Sequence, residues 1–277
     1  MESAPETHWL TMSDGVKLFV RHYGTSTRTL LWCHGVGEHG GRNTHVMQPF
    51  LARGWQVILP DLRGHGRSEG LRCDVPCFDR YLEDFDQIVR EFQLDPARTA
   101  LLGHSMGGLI MTRYVETRTL NWAALVLSAP LLGVALPIPQ WKWMLGRVLA
   151  VIAPRTHLRT DIREDNLTRD RHFLELRNSD PLIHRSVTVR WFFAMLAALK
   201  QAHRDAKQIR QPVLILQGMA DHTTDPAVPE RWLATTSSTD TRFIGYPSGL
   251  HEVFKDTGWQ SICETVLDWL EPRIPAG

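Results

Sequence analysis

Residues 103–107 read Gly103-His104-Ser105-Met106-Gly107, a serine held between glycines. The motif follows the apolar run Thr99-Ala-Leu-Leu and precedes a helical run containing Gly108, Leu109, Ile110 and Tyr114. Ser105 is therefore expected on a sharp strand-to-helix turn. A strained backbone there lifts Oγ clear of the chain, and small neighbours relieve the clashes between strand, turn and helix. Such a serine can attack an acyl carbonyl, provided that a base takes its proton and a carboxylate orients that base.

Both partners stand downstream, in the order acid then histidine. Asp221 follows the apolar run Val213-Leu-Ile-Leu-Gln and the turn Gly218-Met-Ala, and His251 follows the run Thr241-Arg-Phe-Ile and the loop 245–250. Both positions fall at carboxyl ends of expected strands, where open α/β sheets form their ligand crevice. Asp225 is a rival acid on the same loop, but Pro226 after it suits a helix-initiating turn, and Asp221 is favoured. Of the 13 histidines, His251 alone has the right order and place.

Acyl transfer also needs two N–H groups aimed at the developing oxyanion. Met106, directly after the nucleophile, is expected to supply one. The loop His34-Gly35-Val36-Gly37 is expected to supply the other through Val36, whose flanking glycines allow close approach of substrate. His34 is read as a loop anchor. The stretch Asp61-Leu-Arg-Gly-His-Gly-Arg-Ser68 has the look of a phosphate-binding glycine loop but lacks a Gly-Lys-Ser/Thr ending. It reads better as support for the active-site face, with His65 packing or hydrogen-bonding there.

These residues need a frame, and the patterning predicts one. Two β-rich stretches, 8–12 and 16–23, flank Ser13-Asp14-Gly15, a hairpin signal. Short apolar runs then occupy 29–33, 55–59, 99–102, 123–127, 213–216 and 241–244, nearly continuous as strands buried on both faces must be. Helical patterns intervene at 46–53, 78–92, 106–118, 229–236 and 259–270. This alternation predicts an α/β fold: a mostly parallel sheet with helices on both faces and the hairpin at one edge. Residues 131–210 break the rhythm, with helical runs at 141–152 and 187–207, Pro137, Pro139 and Pro154 as punctuation, and no convincing strand. A core of 1–130 and 211–277, with 131–210 as a helical cap over the sheet, is the expected organisation.

At 277 residues and 43% hydrophobic content, one core with an insertion is the natural size. The net charge of +1 offers no field to recruit nucleic acid. The insert, however, holds 14 Lys/Arg against 7 Asp/Glu, a local net of +7 that leaves −6 elsewhere. That asymmetry suits an anionic substrate or membrane, and equally a solvated helical insert. Cys33, Cys73, Cys77 and Cys263 have neither redox nor zinc spacing, so free thiols in a reducing compartment are expected. The first residues carry no basic start or apolar run, and no stretch is long enough to span a bilayer. A cytoplasmic location, with peripheral membrane association through the cap, is the expectation. No metal or organic cofactor is called for, and nothing sets the oligomeric state.

Together, His34-Gly-Val-Gly-Glu-His39, Asp61-Leu-Arg-Gly-His-Gly-Arg-Ser-Glu-Gly70, Gly103-His-Ser-Met-Gly-Gly108, Leu216-Gln-Gly-Met-Ala-Asp221 and the cap motif Asn178-Ser-Asp-Pro-Leu-Ile183 resemble the monoacylglycerol lipase/lysophospholipase group of α/β-hydrolases. The resemblance covers nearly the whole chain. It implies an amphipathic cap that meets the membrane, a deep apolar acyl channel and a polar pocket for glycerol. Ser105, Asp221 and His251 match the group's triad, and Val36 and Met106 its oxyanion donors. Glu38 and Arg42 match loop positions at the polar end of the pocket; a loop-stabilising ion pair is a compatible role. Two further headgroup positions depart from the mammalian enzymes: Phe254 stands for a histidine and Arg177 for a tyrosine.

The cap's own residues add a second line. Leu131, Leu132, Val134, Leu136, Ile138, Trp141, Trp143, Met144, Leu145, Val148, Leu149 and Ile152 interleave with Lys142, Arg147, Arg155 and Arg159. Such a surface suits a lipid interface or burial against the domain beneath, and both readings stand. The leading expectation is an esterase acting on a long-chain lipid ester through an acyl-Ser105 intermediate. A lysophospholipase or general carboxylesterase is the nearest alternative, followed by an N-terminal peptidase and an inactive binding module. Dehalogenase and epoxide-hydrolase chemistry would need an aspartate at position 105.

Overall fold

The computed structural model describes residues 4–134, 140–160 and 162–276. The chain opens with β1 (Glu6–Thr11) and β2 (Lys17–Tyr23), an antiparallel pair joined through the Asp-Gly turn. β3 (Thr29–Cys33), α1 (Met47–Ala52), β4 (Gln56–Pro60), α2 (Asp79–Glu91), β5 (Thr99–His104), α3 (Met106–Thr117) and β6 (Ala124–Ser128) follow. The chain then leaves the sheet for α4 (Gln140–Ile152), β7 (His157–Arg159), α5 (Arg171–Ser179), β8 (Ser186–Thr188) and α6 (Val189–Asp205). It returns as β9 (Val213–Gly218), α7 (Val228–Leu233), β10 (Thr241–Tyr246) and α8 (Trp259–Leu270).

Eight strands form one sheet in the order β1-β2-β4-β3-β5-β6-β9-β10. β2 meets β4 antiparallel, and every pairing from β4 through to β10 is parallel. The near-continuous apolar strands follow from burial on both faces. Leu31, Leu101 and Ile215 point into one core with α2, α3 and α6, whereas Leu30, Trp32, Leu102 and Leu214 point into the other with α1 and α8. The parallel order from β4 to β10 puts the carboxyl ends of β3, β5, β9 and β10 on one rim, where open α/β sheets form their ligand crevice.

The insert differs from the sequence reading in two ways. His157–Arg159 and Ser186–Thr188 pair as a short antiparallel ribbon where no strand was expected. Three-residue strands are too short to carry a period-2 signal. In the same place Thr188 leaves the expected helix: its hydroxyl accepts the Trp191 N–H at 3.1 Å and caps α6, so 187–188 remain extended. Secondly, α6 does not stand above the sheet. Trp191, Met195, Ala198 and Ala202 recur at helical spacing along one face and share the core of α3. Pro154 follows α4 closely, as a helix stop should. Leu136, Pro137, Ile138, Pro139 and the side chain of Lys142 lie outside the described residues.

The Asp61–Ser68 stretch is a brace. Asp61 is fully buried at the end of β4; Oδ1 accepts from Arg21 Nη1 at 2.7 Å and from the Gly40 N–H at 2.9 Å, and Oδ2 accepts from the Arg67 N–H at 2.9 Å. Ser68 Oγ donates back to the Asp61 carbonyl at 2.5 Å. His65 is buried beside it, with Nδ1 on the Arg63 carbonyl. Asp61→Ala strips a buried guanidinium of its partner and is expected to cost about 3–5 kcal/mol of stability. Urea unfolding checks this; a loss under ~1 kcal/mol, the range of a surface pair, would contradict it.

Candidate active site

Ser105 sits between β5 and α3 with φ 53° and ψ −118°, a backbone region that non-glycine residues seldom occupy. The surroundings enforce it. The Ser105 N–H donates to the Ser128 carbonyl at 3.0 Å, and its own carbonyl accepts from the Leu131 N–H at 2.9 Å. A Cβ on Gly107 would come within 2.2 Å of the Cys33 carbonyl oxygen, so only glycine lets α3 start against β3. Met106 begins α3, where the first N–H groups have no partner within the helix.

Asp221 and His251 are brought together by close packing of their loops. The Ala220 N–H donates to the Gly249 carbonyl at 3.0 Å, and a Cβ on Gly218 would lie 2.0 Å from the Leu250 carbonyl oxygen. His251 Nδ1–H then donates to Asp221 Oδ2 at 2.8 Å. The Thr224 hydroxyl donates to the same oxygen at 2.7 Å, and the Thr223 N–H to Oδ1 at 2.7 Å. Burial opposes ionisation of Asp221, but the His251 ring and these donors outweigh it and hold the carboxyl at about 2. The rival Asp225 is instead half-buried and accepts the Ala227 N–H at 3.0 Å, just before α7.

Ser105 and His251 line one small cavity with Gly35, Val36, Glu38, His104, Ile162, Leu167, Arg177 and Glu252. Its volume is about 20 Å³, room for roughly one water. His34 anchors the β3 loop: Nδ1–H bonds to the Gly35 carbonyl at 2.8 Å and Nε2 accepts the Leu62 N–H at 2.9 Å. The Gly35 N–H is taken by Glu38 Oε1 at 2.8 Å, which makes Val36 the next amide along the cavity wall. His104 is buried 4.9 Å from the His251 ring, and burial pulls its pKa down to about 4, so it is neutral.

Glu38 and Arg42 belong to a buried charge cluster that also includes Glu252 and Lys255, two residues the sequence reading did not single out. Arg42 donates to Glu38 Oε2 at 2.9 Å and grips both oxygens of Glu252 at 2.8 and 3.0 Å. Lys255 Nζ adds a bond to Glu38 Oε2 at 3.3 Å. Burial opposes both carboxylates, yet Lys255 and Arg42 drive them well below the usual range. The available signal was position: Glu252 and Lys255 stand one and four residues after His251. Arg177 reaches the same cavity from α5. Phe254 does not line it; its ring packs on Trp32 at 5.0 Å in the core under α1 and α8, because the chain after Glu252 turns inward as a 3-10 turn.

The sheet order and the strained serine turn define an α/β-hydrolase. Residues 24–258 match the family model described as serine aminopeptidase, S33. The human monoglyceride lipase is 32% identical over 276 residues, 95% of this chain and 90% of its own length. Phospholipase YtpA of Bacillus subtilis is 26% identical over 225 residues, 80% of this chain and 87% of its own. The crystal structure of Paleococcus ferrophilus monoacylglycerol lipase superimposes with a TM-score of 0.86 at 29% identity, covering 92% of this chain and 99% of that one. The chain belongs to this serine hydrolase family, in its monoglyceride-lipase group.

The depressed Asp221 pKa has a consequence for stability. Its contribution is complete above the unfolded carboxyl value of about 3.9 and is lost as pH falls through about 2. In urea unfolding, the stability gap between wild type and Asp221→Asn should therefore shrink as pH is lowered from 5 toward 2. A gap that stays constant would contradict the assignment.

Proposed function

We propose that the protein is a serine esterase releasing the fatty acid from monoacylglycerols through an acyl-Ser105 intermediate. The observation that carries this reading is that an ionised Asp221 grips His251 at 2.8 Å while His251 faces the cavity of the strained Ser105. His251 takes the Ser105 proton as Oγ attacks the ester carbonyl. The oxyanion of the tetrahedral intermediate accepts the Val36 and Met106 N–H groups, beside the positive end of α3. The imidazolium, held by Asp221, protonates the leaving glycerol, and a water activated by His251 then frees the acid. The likeness to monoglyceride lipases along nearly all of the chain supports an acylglycerol as substrate.

The family's description also names an aminopeptidase, which must hold a substrate ammonium with free carboxylates. Glu38 and Glu252, the acidic side chains of the cavity wall, are already occupied by Arg42 and Lys255, and Arg177 adds a further cation. This favours the ester.

The cap supports contact with lipid. Trp141, Met144, Leu145, Val148, Val151 and Ile152 on α4 are exposed, the last two at 81% and 72%, with Arg147 and Arg155 exposed beside them. α4 leans on α6 through Trp143 on Phe193 at 5.3 Å. No helix among the described residues is long and apolar enough to cross a bilayer. An in-plane contact with the membrane surface fits such a face.

Ser105→Ala should lower kcat for monoolein by on the order of 10⁴-fold or more and abolish labelling by a fluorophosphonate. Retained turnover would overturn the mechanism. Val151→Asp/Ile152→Asp should weaken sedimentation with phosphatidylglycerol vesicles by about tenfold or more; unchanged sedimentation would exclude α4 as the contact.

A further inference from the structure

The edge hairpin gathers three metal-ligating side chains on the face it turns toward α2. Glu6 and His22 stand directly opposite one another across the β1–β2 pair, and His8 follows Glu6 by two residues, so all three share one face. One donor atom from each lies within 4.8 Å of the other two. His8 Nε2 is buried and has no hydrogen-bond partner among the described residues. It stands 3.6 Å from Glu6 Oε1, too long for a hydrogen bond. Two donors held at about 2.1 Å from a tetrahedral ion stand about 3.4 Å apart, so this gap is one that a shared ion closes. His22 is oriented from behind. Its Nε2 lies 3.0 Å from Gln56 Oε1, and the Gln56 amide donates in turn to Thr29 Oγ1 at 2.7 Å. An amide oxygen only accepts, so Nε2 carries the proton and the lone pair is left on Nδ1. Ligating histidines are held in one tautomer by such an outer hydrogen bond. Phe92, directly after α2, covers both rings edge-on, with centroids 5.2 Å from His8 and 5.4 Å from His22.

We propose that Glu6, His8 and His22 form a zinc site, in which Zn²⁺ takes one carboxylate oxygen and one ring nitrogen from each histidine, with solvent as the fourth ligand. Two imidazoles and a carboxylate suit Zn²⁺, whereas Mg²⁺ and Ca²⁺ take oxygen ligands. Glu6 is exposed, which leaves the ion a path in from solvent. The ion acts on the hairpin. β1 is the outermost strand and is paired on one side only, and zinc ties its first residue to β2. It takes no part in acyl transfer. Gln56 opens β4, which runs parallel with β3 and β5, whereas Ser105 follows the last residue of β5. The cluster and the nucleophile therefore lie at opposite rims of the sheet.

The test titrates Zn²⁺, against a chromophoric chelator, into the full chain and into Glu6→Gln, His8→Gln, His22→Gln and Gln56→Leu. Wild type should bind one Zn²⁺ that millimolar Mg²⁺ fails to displace. Each ligand variant should weaken binding by on the order of 100-fold, and Gln56→Leu by about tenfold, since an outer partner contributes less than a ligand. Zn²⁺ at about 100 times its Kd should raise the Tm of wild type by roughly 5 °C and leave that of the ligand variants unmoved. Cooperative melting of each metal-free variant reports that its fold is kept. Co²⁺ bound to wild type should show the strong visible absorption of a tetrahedral ion, a readout that needs no variant. Three results would each overturn the proposal: no Zn²⁺ retained by wild type against the chelator, binding undiminished in any one of the ligand variants, or only the faint absorption of octahedral Co²⁺. Undiminished binding would place the ion on others of the 13 histidines.

Discussion

The backbone at Ser105 is the constraint around which the rest of this molecule is organised. A φ of 53° with ψ −118° costs on the order of 1–3 kcal/mol for a residue with a side chain, and such strain persists only where neighbours over-determine it. Three central strands do so. β5 delivers the serine, β6 takes its N–H through the Ser128 carbonyl, and the end of β3 presses its Cys33 carbonyl against Gly107. The sheet core on both faces can therefore be understood as the clamp that keeps one hydroxyl raised at the rim.

The second level of organisation is electrostatic. Glu38 reaches from the β3 loop to the Gly35 N–H, and through Arg42 and Lys255 it is joined to Glu252, the neighbour of His251. The loop beside Ser105 and the loop of the base are thus fixed to one another across more than 200 residues of chain. The second half of the insert is fixed to the same loops. The Glu252 N–H donates to the Leu167 carbonyl at 2.7 Å, Thr168 Oγ to the Lys255 carbonyl at 2.6 Å, and His39 meets Asp180 at 2.7 Å. α4 differs in carrying an apolar exposed face, whereas the α5 side of the insert is held in register with the reacting groups.

Much of this frame was legible in the amino-acid sequence because burial on two faces writes a plain signal. β3 and α8 fall on the residues that patterning predicts, and the hairpin, the parallel alternation and the insertion after β6 were all readable. β5 runs through Gly103 to His104 and β9 runs on to Gly218, since a buried strand tolerates glycine where another backbone crowds it. The β7–β8 ribbon was silent because two three-residue strands are too short to leave a pattern. At the site, chain order sufficed to pair Asp221 with His251 and to set Asp225 aside. Glu252 and Lys255 were missed because ion pairs with partners over 200 residues away have no local signature. Phe254 illustrates the limit of position-by-position likeness: three residues beyond His251 the chain has already turned into the core against Trp32.

The account stands or falls on an acyl group passing through Ser105. Rapid mixing with monoolein, acid quench within the first turnovers and peptide mass spectrometry would locate it. An oleoyl adduct on the peptide bearing Ser105, formed in a burst and lost on further incubation, is the predicted result. An adduct on another residue, or hydrolysis in which no acylated enzyme forms during a resolved burst, would contradict it.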